Sequence, residues 1–403
     1  MQYRIDPKSG NRLSVLGYGC MRFENRLGII DVAAAERLVR RAIEEGVNYF
    51  DTAYLYPGSE QALGQILARD GLREKVYVAD KLPLMRCRAP EDFDKLLAKQ
   101  LERLGTDHID YYLMHNMPTP AAWQALCALG VEDWLRAQQA RGVIRQVGFS
   151  FHGAAQDFIR LVDAYDWDFT QIQYNYLDEH NQAGRAGLQH AAAKGLPVII
   201  MEPLLGGKLA ANLPAEVARV FEAAPVRRSA AAWGLRWLWD QPEVTVVLSG
   251  MNSALQLTDN LHTAQDALPG MLTPQEHQAY RDVMEAFAAA FQVRCTGCGY
   301  CMPCPQGIDI PGCFSAYNKC AAVSRRAGLQ QYIMTSGSLS NQRRFASSCV
   351  RCGACEPKCP QGIPIRDKLA EAARVLEPVW LKPGTALAGH VIGMRRRGGE
   401  NEK

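Results

Sequence analysis

The succession of strands and helices is clearest between residues 48 and 115, where three β-rich runs read NYFDT (48–52), VYVADK (76–81) and IDYYLMH (109–115). Helical patterns of apolar residues separate these runs, while β-branched and aromatic residues favour strands within them. The alternation continues in both directions, and it predicts further strands at 16–20, 144–150, 169–174, 197–202 and 244–249. Strands that alternate with helices form a parallel sheet with helices outside it.

Eight strand–helix units in this length of chain fit a closed (β/α)8 TIM barrel of typical size. An open, doubly wound α/β sheet is the alternative. Against it, the first strand does not lead into the Gly-x-Gly-x-x-Gly turn that such sheets use for dinucleotides. Residues 2–14 precede the first strand and are predicted to form a hairpin that covers the floor of the barrel.

The overall composition excludes several classes of protein. The 403 residues include 45 Lys and Arg against 42 Asp and Glu, a net charge of +3, which argues against a dedicated nucleic-acid binder. No apolar run is long enough to span a membrane, and the opening MQYRIDP has no apolar signal core. We therefore expect a cytoplasmic protein, in which disulfides are a poor explanation for 13 cysteines.

The distribution of cysteine and charge predicts a domain boundary near residue 292. Ten of the 13 cysteines lie between Cys295 and Cys359, and the net charge changes from −6 before residue 293 to +6 over residues 293–377. We predict a barrel at 1–270, a connecting helix at 271–292, a small helical domain at 293–377 and a C-terminal tail at 378–403.

Four polar residues stand at or just beyond the carboxyl ends of consecutive strands, where barrels of this type carry their chemistry. Asp51, Lys81 and His115 follow or end the second, third and fourth strands, and Tyr56 lies in the loop after the second. A single polar residue at a strand end is usually solvated or caps a turn. Four of them at one rim indicate a catalytic site.

These residues and their neighbours resemble the aldo-keto reductase superfamily. The resemblance rests on DTAYLY (51–56), GSEQALG (58–64), Lys81 and DYYLMH (110–115), in matching order and spacing. It implies hydride transfer between a nicotinamide and a small carbonyl or alcohol, with Tyr56 as general acid. Lys81, paired with Asp51, would lower the pKa of Tyr56, and His115 would orient the carbonyl.

The resemblance also implies a dinucleotide site at the mouth of the barrel. Ser150 and Gln171 match residues that bind the carboxamide, and Phe151 replaces the usual asparagine. Met201 stands where an aromatic residue commonly stacks on the nicotinamide. The remaining matches are in the pyrophosphate loop and the adenosine segment, at Gly206, Gly207, Ser249, Gly250, Gln256 and Asn260. Gly250 and Gln256 replace the cations of NADP-preferring members, which favours NADH unless Lys208 or an arginine substitutes.

The second domain contains two closely spaced cysteine motifs. The first comprises Cys295, Cys298, Cys301 and Cys304, and the second comprises Cys349, Cys352, Cys355 and Cys359. The second motif is the C-x2-C-x2-C-x3-C-P run of bacterial ferredoxins, and the first has one residue fewer before its last cysteine. We expect two 4Fe–4S clusters, with zinc as the alternative. Cys313 and Cys320, between the motifs, are expected to be buried apolar residues rather than ligands.

Two-cluster ferredoxins suggest which cysteines share a cluster. By analogy with them, the last cysteine of each motif would serve the other cluster, so that Cys359 joins the first set and Cys304 the second. A local cluster of four consecutive cysteines is the alternative. The whole chain resembles a bacterial and archaeal subgroup of aldo-keto reductases with an appended dicluster domain.

Three functions fit the sequence. One is a nicotinamide-dependent carbonyl reductase or alcohol dehydrogenase whose clusters are structural or exchange electrons with an acidic carrier such as ferredoxin. Another is a ferredoxin-linked oxidoreductase that works without nicotinamide. The third is a non-enzymatic redox sensor or electron-transfer subunit, for which a general acid would have no purpose.

Overall fold

The computed structural model describes residues 1–26, 28–180, 182–322, 324–336, 344–379 and 381. Most of the predicted tail, residues 382–403, lies outside this part of the chain. By internal contacts the chain divides into two compact units. Unit 1 comprises Met1–Leu205 and Arg228–Pro274, and unit 2 comprises Gly206–Arg227 and the chain from Gln275 onward. The domain limits expected from the sequence remain predictions.

The described strands all lie in unit 1. In chain order they are β1 (Tyr3–Ile5), β2 (Arg12–Ser14), β3 (Leu16–Gly19), β4 (Asn25–Arg26), β5 (Ile29–Ile30), β6 (Tyr49–Asp51), β7 (Tyr77–Pro83), β8 (Ile109–His115), β9 (Ile144–Phe151), β10 (Phe169–Gln173), β11 (Val198–Met201) and β12 (Val244–Ser249).

The helices follow the strands and then continue alone. They are α1 (Val32–Glu44), α2 (Ser59–Leu67), α3 (Glu91–Leu104), α4 (Pro120–Cys127), α5 (Val131–Ala140), α6 (Ala155–Ala164), α7 (Gly184–Ala193), α8 (Ala215–Ala223), α9 (Ala230–Trp239), α10 (Ala254–Thr263), α11 (Pro274–Ala290), α12 (Ile310–Ala322), α13 (Arg325–Thr335) and α14 (Ile365–Leu376). No helix among the described residues has the length and apolar character needed to cross a lipid bilayer.

Eight of the strands form a closed parallel barrel in the order β3-β6-β7-β8-β9-β10-β11-β12, with β12 paired back to β3. This closure confirms the predicted TIM barrel and excludes the open sheet. Side chains that alternate along the strands fill the interior with apolar and aromatic groups, among them Tyr49, Tyr111, Phe169 and Val246. The barrel thus has a packed core below an open rim.

The β1–β2 hairpin contacts the start of β8. Tyr111 donates a hydrogen bond from its hydroxyl to Asp6 Oδ2 at 2.8 Å, and Asp6 also accepts from the turn residues Lys8 and Ser9. Because Tyr111 is near the amino end of β8, the hairpin packs at the end of the barrel opposite the predicted site.

Unit 2 is helical among its described residues. Helices α12, α13 and α14 pack together around Ile310, Phe314, Tyr332 and Leu369, and the cysteine-rich loops border this core. Cys313 lies within the core and Cys320 is partly buried against it, so both occupy the kind of packing position expected of them.

Candidate functional site

The four predicted catalytic residues meet at the carboxyl ends of neighbouring strands. Lys81 Nζ lies 2.5 Å from Asp51 Oδ1, donates a hydrogen bond to the carbonyl oxygen of Thr52 at 2.7 Å, and stands 5.0 Å from the centroid of the Tyr56 ring. The Tyr56 ring meets His115 edge to face, with centroids 6.0 Å apart. The barrel therefore brings an acid, an ammonium, a phenol and an imidazole together.

The local sequence explains this convergence. The β6 strand ends at Asp51, and its ladder with β7 ends at the Asp51–Ala79 pair, so Lys81 extends two residues beyond it. His115 is opposite Pro83 at the end of β8. Gly58, with φ of +75°, then turns the chain into α2 directly after Tyr56, a backbone conformation that favours glycine.

The pKa of Tyr56 lies in the direction opposite to the one expected from the sequence. Exclusion of water by the surrounding protein, followed by the charge of Asp51, raises the pKa of Tyr56 well above its ordinary value. Lys81 does not offset this rise, and we attribute that to its engagement by the Asp51 carboxylate and the Thr52 carbonyl. The phenol stays protonated through neutral pH.

His115 is held as a neutral imidazole. Burial, followed by the positive charge of Lys81, keeps the pKa of His115 well below its usual range. Its Nδ1 atom is buried and has no hydrogen-bond partner among the described residues. A neutral ring next to the phenol can donate one hydrogen bond without adding charge to the site.

Ser150 and Gln171 lie directly opposite one another on β9 and β10. Gln171 Nε2 donates to Asp51 Oδ2 at 2.8 Å, while Gln171 Oε1 is buried and receives no hydrogen bond within the described part of the chain. Ser150 Oγ accepts from the Asn116 amide at 2.8 Å. The unsatisfied acceptor on Gln171 lies beside the four predicted catalytic residues (the tetrad Asp51, Tyr56, Lys81 and His115). It fits an amide N–H donor such as a nicotinamide carboxamide.

The expected adenosine segment follows β12. Asn260 Nδ2 donates to Ser249 Oγ at 2.8 Å, and Gln256 Oε1 accepts from the Asn252 amide at 3.0 Å. A Cβ atom added to Gly250 would lie 2.7 Å from Cγ of Arg22. An arginine thus occupies the space next to the position that lacks a cation.

Sequence reasoning did not assign Arg22 a role. The only indication in the sequence was that Arg22 lies two residues after the end of the predicted first strand (16–20). The fold is needed to show that its side chain contacts Gly250. Met201, the expected stacking residue, ends β11 and is partly exposed. Gly206 and Gly207 form a turn with φ of +67° and +91°, and they belong to unit 2.

The two cysteine motifs intermix around two cavities of unit 2. One cavity, of about 300 Å³, is bordered by Cys295, Cys298, Cys301 and Cys359. The other, of about 370 Å³, is bordered by Cys301, Cys304, Cys349, Cys352 and Cys355. The first three cysteines of each motif therefore border the same cavity as the last cysteine of the other motif, and Cys301 borders both cavities. The crossed assignment of cluster ligands remains a prediction.

The loops around the cavities suit a bound cluster. Gly299 and Gly353 adopt φ of +79° and +81°, which lets each loop turn sharply between successive thiols. All 13 cysteines are described, and none forms a disulfide. No three His, Cys, Asp or Glu side chains of the described residues converge as a single-ion site would require. The thiols are instead spread around cavities.

Comparison with known proteins identifies the family to which the barrel belongs. The model of the "Aldo/keto reductase family" matches residues 15–271, nearly two thirds of the chain. The chain belongs to the aldo/keto reductase family. An aldo-keto reductase of Mycobacterium sp. (strain MCS) is 31% identical over 209 residues, which cover 51% of this chain and 67% of the relative.

Other members of the family are more distant. A probable voltage-gated potassium channel subunit beta from Oryza sativa subsp. japonica is 24% identical over 68% of this chain and 94% of its own length. Among solved structures, the holo form of aldo-keto reductase AKR11C1 from Bacillus halodurans superposes with a TM-score of 0.58 and 24% identity. That superposition covers 70% of this chain and 96% of the other, and it supports the barrel fold.

A second family model, described as "4Fe-4S dicluster domain", matches residues 294–364. The match includes all eight cysteines of the two motifs. This aldo/keto reductase therefore carries a 4Fe–4S domain at its carboxyl side, which favours iron–sulfur clusters over zinc.

Proposed function

We propose that this oxidoreductase transfers a hydride reversibly between NAD(P)H and a small-molecule carbonyl or alcohol, with Tyr56 as general acid. The observation that carries the proposal is the position of Lys81, which Asp51 and the Thr52 carbonyl hold above the Tyr56 ring. Asp51 and Thr52 thus keep a buried ammonium next to the phenol ring. Its positive charge would favour the phenolate over the phenol when the phenol gives up its proton.

The raised pKa of Tyr56 is compatible with this role. At neutral pH the phenol carries its proton. The hydride would add to the carbonyl carbon, and the alkoxide that develops on the carbonyl oxygen is a stronger base than a phenolate. Tyr56 would donate its O–H proton to that oxygen, and water would later restore it. The neutral His115 would donate a hydrogen bond to the same oxygen and orient it.

The nicotinamide would supply the hydride, and the residues around the tetrad fit its carboxamide. Gln171 Oε1 would accept the carboxamide N–H, and Ser150 would contact the same group. The adenosine segment offers two opposing signals. Gly250 and Gln256 carry no charge and favour NADH, whereas the aliphatic part of the Arg22 side chain packs against Gly250, and its guanidinium would favour NADPH if it contacts the 2′-phosphate.

We further propose that the second domain binds two 4Fe–4S clusters. Cys295, Cys298, Cys301 and Cys359 would hold one cluster, and Cys304, Cys349, Cys352 and Cys355 would hold the other. Cys352 is exposed, and the adjacent Val350 is 61% exposed, so the second cluster would reach the surface. An acidic carrier such as ferredoxin could exchange electrons there with the positively charged domain.

This exposure supports a second candidate function, a ferredoxin-linked oxidoreductase. In that case the clusters would deliver single electrons, and Tyr56 and His115 would supply protons without a nicotinamide. An anaerobic titration with NADH and NADPH, followed by absorption and EPR, separates the two candidates. The first predicts nucleotide binding and carbonyl turnover that persist when the clusters are lost. The second predicts that turnover disappears with the clusters.

Replacement of Tyr56 by Phe tests the proposed acid. The substitution removes one oxygen and keeps the ring, so we expect carbonyl reduction to fall by about 10²-fold or more. Nucleotide binding, measured by fluorescence quenching, should stay within about twofold because the phenol is not a binding group. Tyr54→Phe, in the same loop, is the matched control. Equal turnover of the Tyr56→Phe variant and the wild type would remove Tyr56 from the mechanism.

A further inference from the structure

A buried pair of carboxyl groups lies behind the tetrad. Asp80 precedes Lys81 on β7, and because side chains alternate along a strand it points away from the barrel interior, toward α2 and α3. There it faces Glu60 of α2, and the two carboxyl groups are close enough to form a hydrogen bond once one of them carries a proton. Asp80 is 0% exposed and Glu60 is 1% exposed. The mechanism above uses neither of them.

The hydrogen bonds of the pair account for only one oxygen on each carboxyl. Asp80 Oδ1 accepts from the Lys81 amide at 2.8 Å, and Glu60 Oε2 accepts from Arg103 Nη1 at 2.6 Å. Asp80 Oδ2 and Glu60 Oε1 are buried and receive no donor from elsewhere among the described residues. Two ionised carboxylates have no proton to place between them, so a hydrogen bond between these groups requires that one be protonated.

The same network fixes the backbone of Lys81. Since β6 stops at Asp51, the Lys81 amide and carbonyl have no strand partner on that side. The amide donates to Asp80 Oδ1, and the carbonyl accepts from Gln100 Nε2 at 3.1 Å. Gln100 is itself held by the Tyr112 hydroxyl, which donates to Gln100 Oε1 at 2.7 Å. Side chains thus make the hydrogen bonds to the Lys81 backbone that a neighbouring strand would otherwise make.

The charges around the pair favour a single negative charge. The titratable or charged groups of the surrounding elements that interact with it are Arg103, Lys81, Tyr112, Cys20 and Tyr56, and Tyr54 lies against Arg103. With one shared proton, the pair carries one negative charge opposite Arg103, and Asp51 remains the counter-ion of Lys81. Burial and the neighbouring Glu60 raise the pKa of Asp80 well above its ordinary value, in agreement with a retained proton.

We propose that Asp80 and Glu60 share one proton and act as positioning residues for Lys81, an inference that rests on the carbonyl reduction proposed above. A second negative charge beside Tyr56 would further oppose the loss of its proton. The shared proton neutralises one of the two carboxyl groups and keeps both groups in contact. This contact holds Lys81 in the position where its ammonium pairs with Asp51.

Two substitutions of Asp80 separate the two parts of the proposal. In Asp80→Asn the amide oxygen can still accept from Lys81 and the amide nitrogen can donate to Glu60, so the contacts persist without a titrating proton. Asp80→Ala removes the contacts as well. Asp166→Asn, an exposed aspartate on the outside of the barrel, is the control. All variants are studied as the full chain with its clusters.

The first readout is the pH dependence of urea unfolding, followed by tryptophan fluorescence, because the described tryptophans lie in the barrel unit. A carboxyl that keeps its proton in the folded protein favours folding at low pH, and this advantage is lost as pH rises from its ordinary pKa toward its raised one. Relative to Asp80→Asn, the unfolding constant of the wild type should rise by up to about tenfold per pH unit in that window.

The second readout is kinetic. We expect Asp80→Asn to keep kcat at neutral pH within about threefold of wild type, and Asp80→Ala to lower kcat by more than about tenfold with little change in KM. If kcat is preserved in Asp80→Asn but not in Asp80→Ala, Asp80 positions Lys81 and does not merely stabilise the fold.

Each other outcome contradicts the proposal. Parallel unfolding profiles of wild type and Asp80→Asn would mean that no proton is shared, and this measurement needs no substrate. Equal losses of kcat in both variants, or none in either, would overturn the positioning role. A wild type with no carbonyl reduction would remove the proposed function and the positioning role together, whereas the unfolding profiles would still decide the shared proton.

Discussion

At the scale of single residues, the convergence of the candidate site residues was predictable but the electrostatics around them were not. Asp51, Lys81 and His115 could be found because parallel strands place their carboxyl ends at one rim, and strand ends are visible in sequence. The direction of the Tyr56 pKa shift depends on how much water the folded loops exclude and on how Asp51 and Thr52 engage Lys81. The spacing of residues along the sequence indicates neither the exclusion of water from Tyr56 nor the contacts of Lys81.

Arg22 shows the same limit in the dinucleotide site. Its side chain reaches Gly250 because β3 and β12 are neighbours in the closed barrel, although the residues are 228 positions apart. Sequence comparison at residues 250 and 256 alone predicts NADH. The fold brings the side chain of an arginine, from the turn after β3, next to the same position.

The nucleotide preference of an Arg22→Ala variant tests this contribution. If the guanidinium binds a 2′-phosphate, its loss should lower kcat/KM with NADPH by about tenfold or more and leave the value with NADH within about twofold. Arg160→Ala, an exposed arginine on α6, is the control. Equal effects on the two nucleotides would show that Arg22 does not read the 2′-phosphate.

At the scale of elements, the eight barrel strands were predictable because each is a short apolar run bounded by helical pattern. The small β4–β5 hairpin was not, since two-residue strands have no periodicity to detect. The helical region after β8 consists of two helices, α4 and α5, separated at Gly130 with φ of +82°. A glycine inside an apolar pattern marks such a break only once its backbone conformation is known.

The contact between α2 and α3 depends on the absence of one side chain. A Cβ atom at Gly64 of α2 would lie 2.6 Å from the carbonyl oxygens of Arg103 and Leu104 at the end of α3. These are backbone atoms, so the helices themselves have to separate to admit a methyl group.

We therefore expect Gly64→Ala to destabilise the barrel, although alanine favours helices more than glycine does. Overpacking of this kind lowers the free energy of unfolding by about 1–3 kcal/mol. Urea unfolding measures the change, and Gln61→Ala, at an exposed position of the same helix, is the control. Because α2 and α3 also present Glu60 and Arg103 to Asp80, the variant should lose carbonyl reduction as well. A variant as stable as the wild type would contradict the packing argument.

At the scale of the whole molecule, the sequence separated a cysteine-poor part from a cysteine-rich part by composition. It did not indicate that residues 206–227, which lie between two barrel strands in the chain, group with the second unit. Membership of a unit is decided by long-range contacts such as the hydrogen bond from Lys208 Nζ to the carbonyl oxygen of Cys295. Composition along the chain does not record such contacts.

The arrangement of cysteines around the two cavities makes a prediction about each cluster. Cys359→Ser should alter the EPR signal of the cluster held by Cys295, Cys298 and Cys301, and Cys304→Ser should alter the signal of the other cluster. Local ligation predicts the reverse assignment. Iron analysis and EPR of the two reduced variants distinguish these outcomes, and Cys320→Ala, which borders neither cavity, should keep the full iron content.

The grouping of residues 206–227 with the cysteine-rich unit has a practical consequence. A truncation that ends the chain near residue 274 would appear to yield a minimal reductase, but it would remove every residue after 274 against which that segment packs. Loss of activity in such a fragment would not reveal whether iron takes part in turnover. The cysteine-rich unit is therefore not a detachable addition, because it includes a segment from within the barrel sequence. Its contribution has to be dissected by point substitutions in the intact polypeptide.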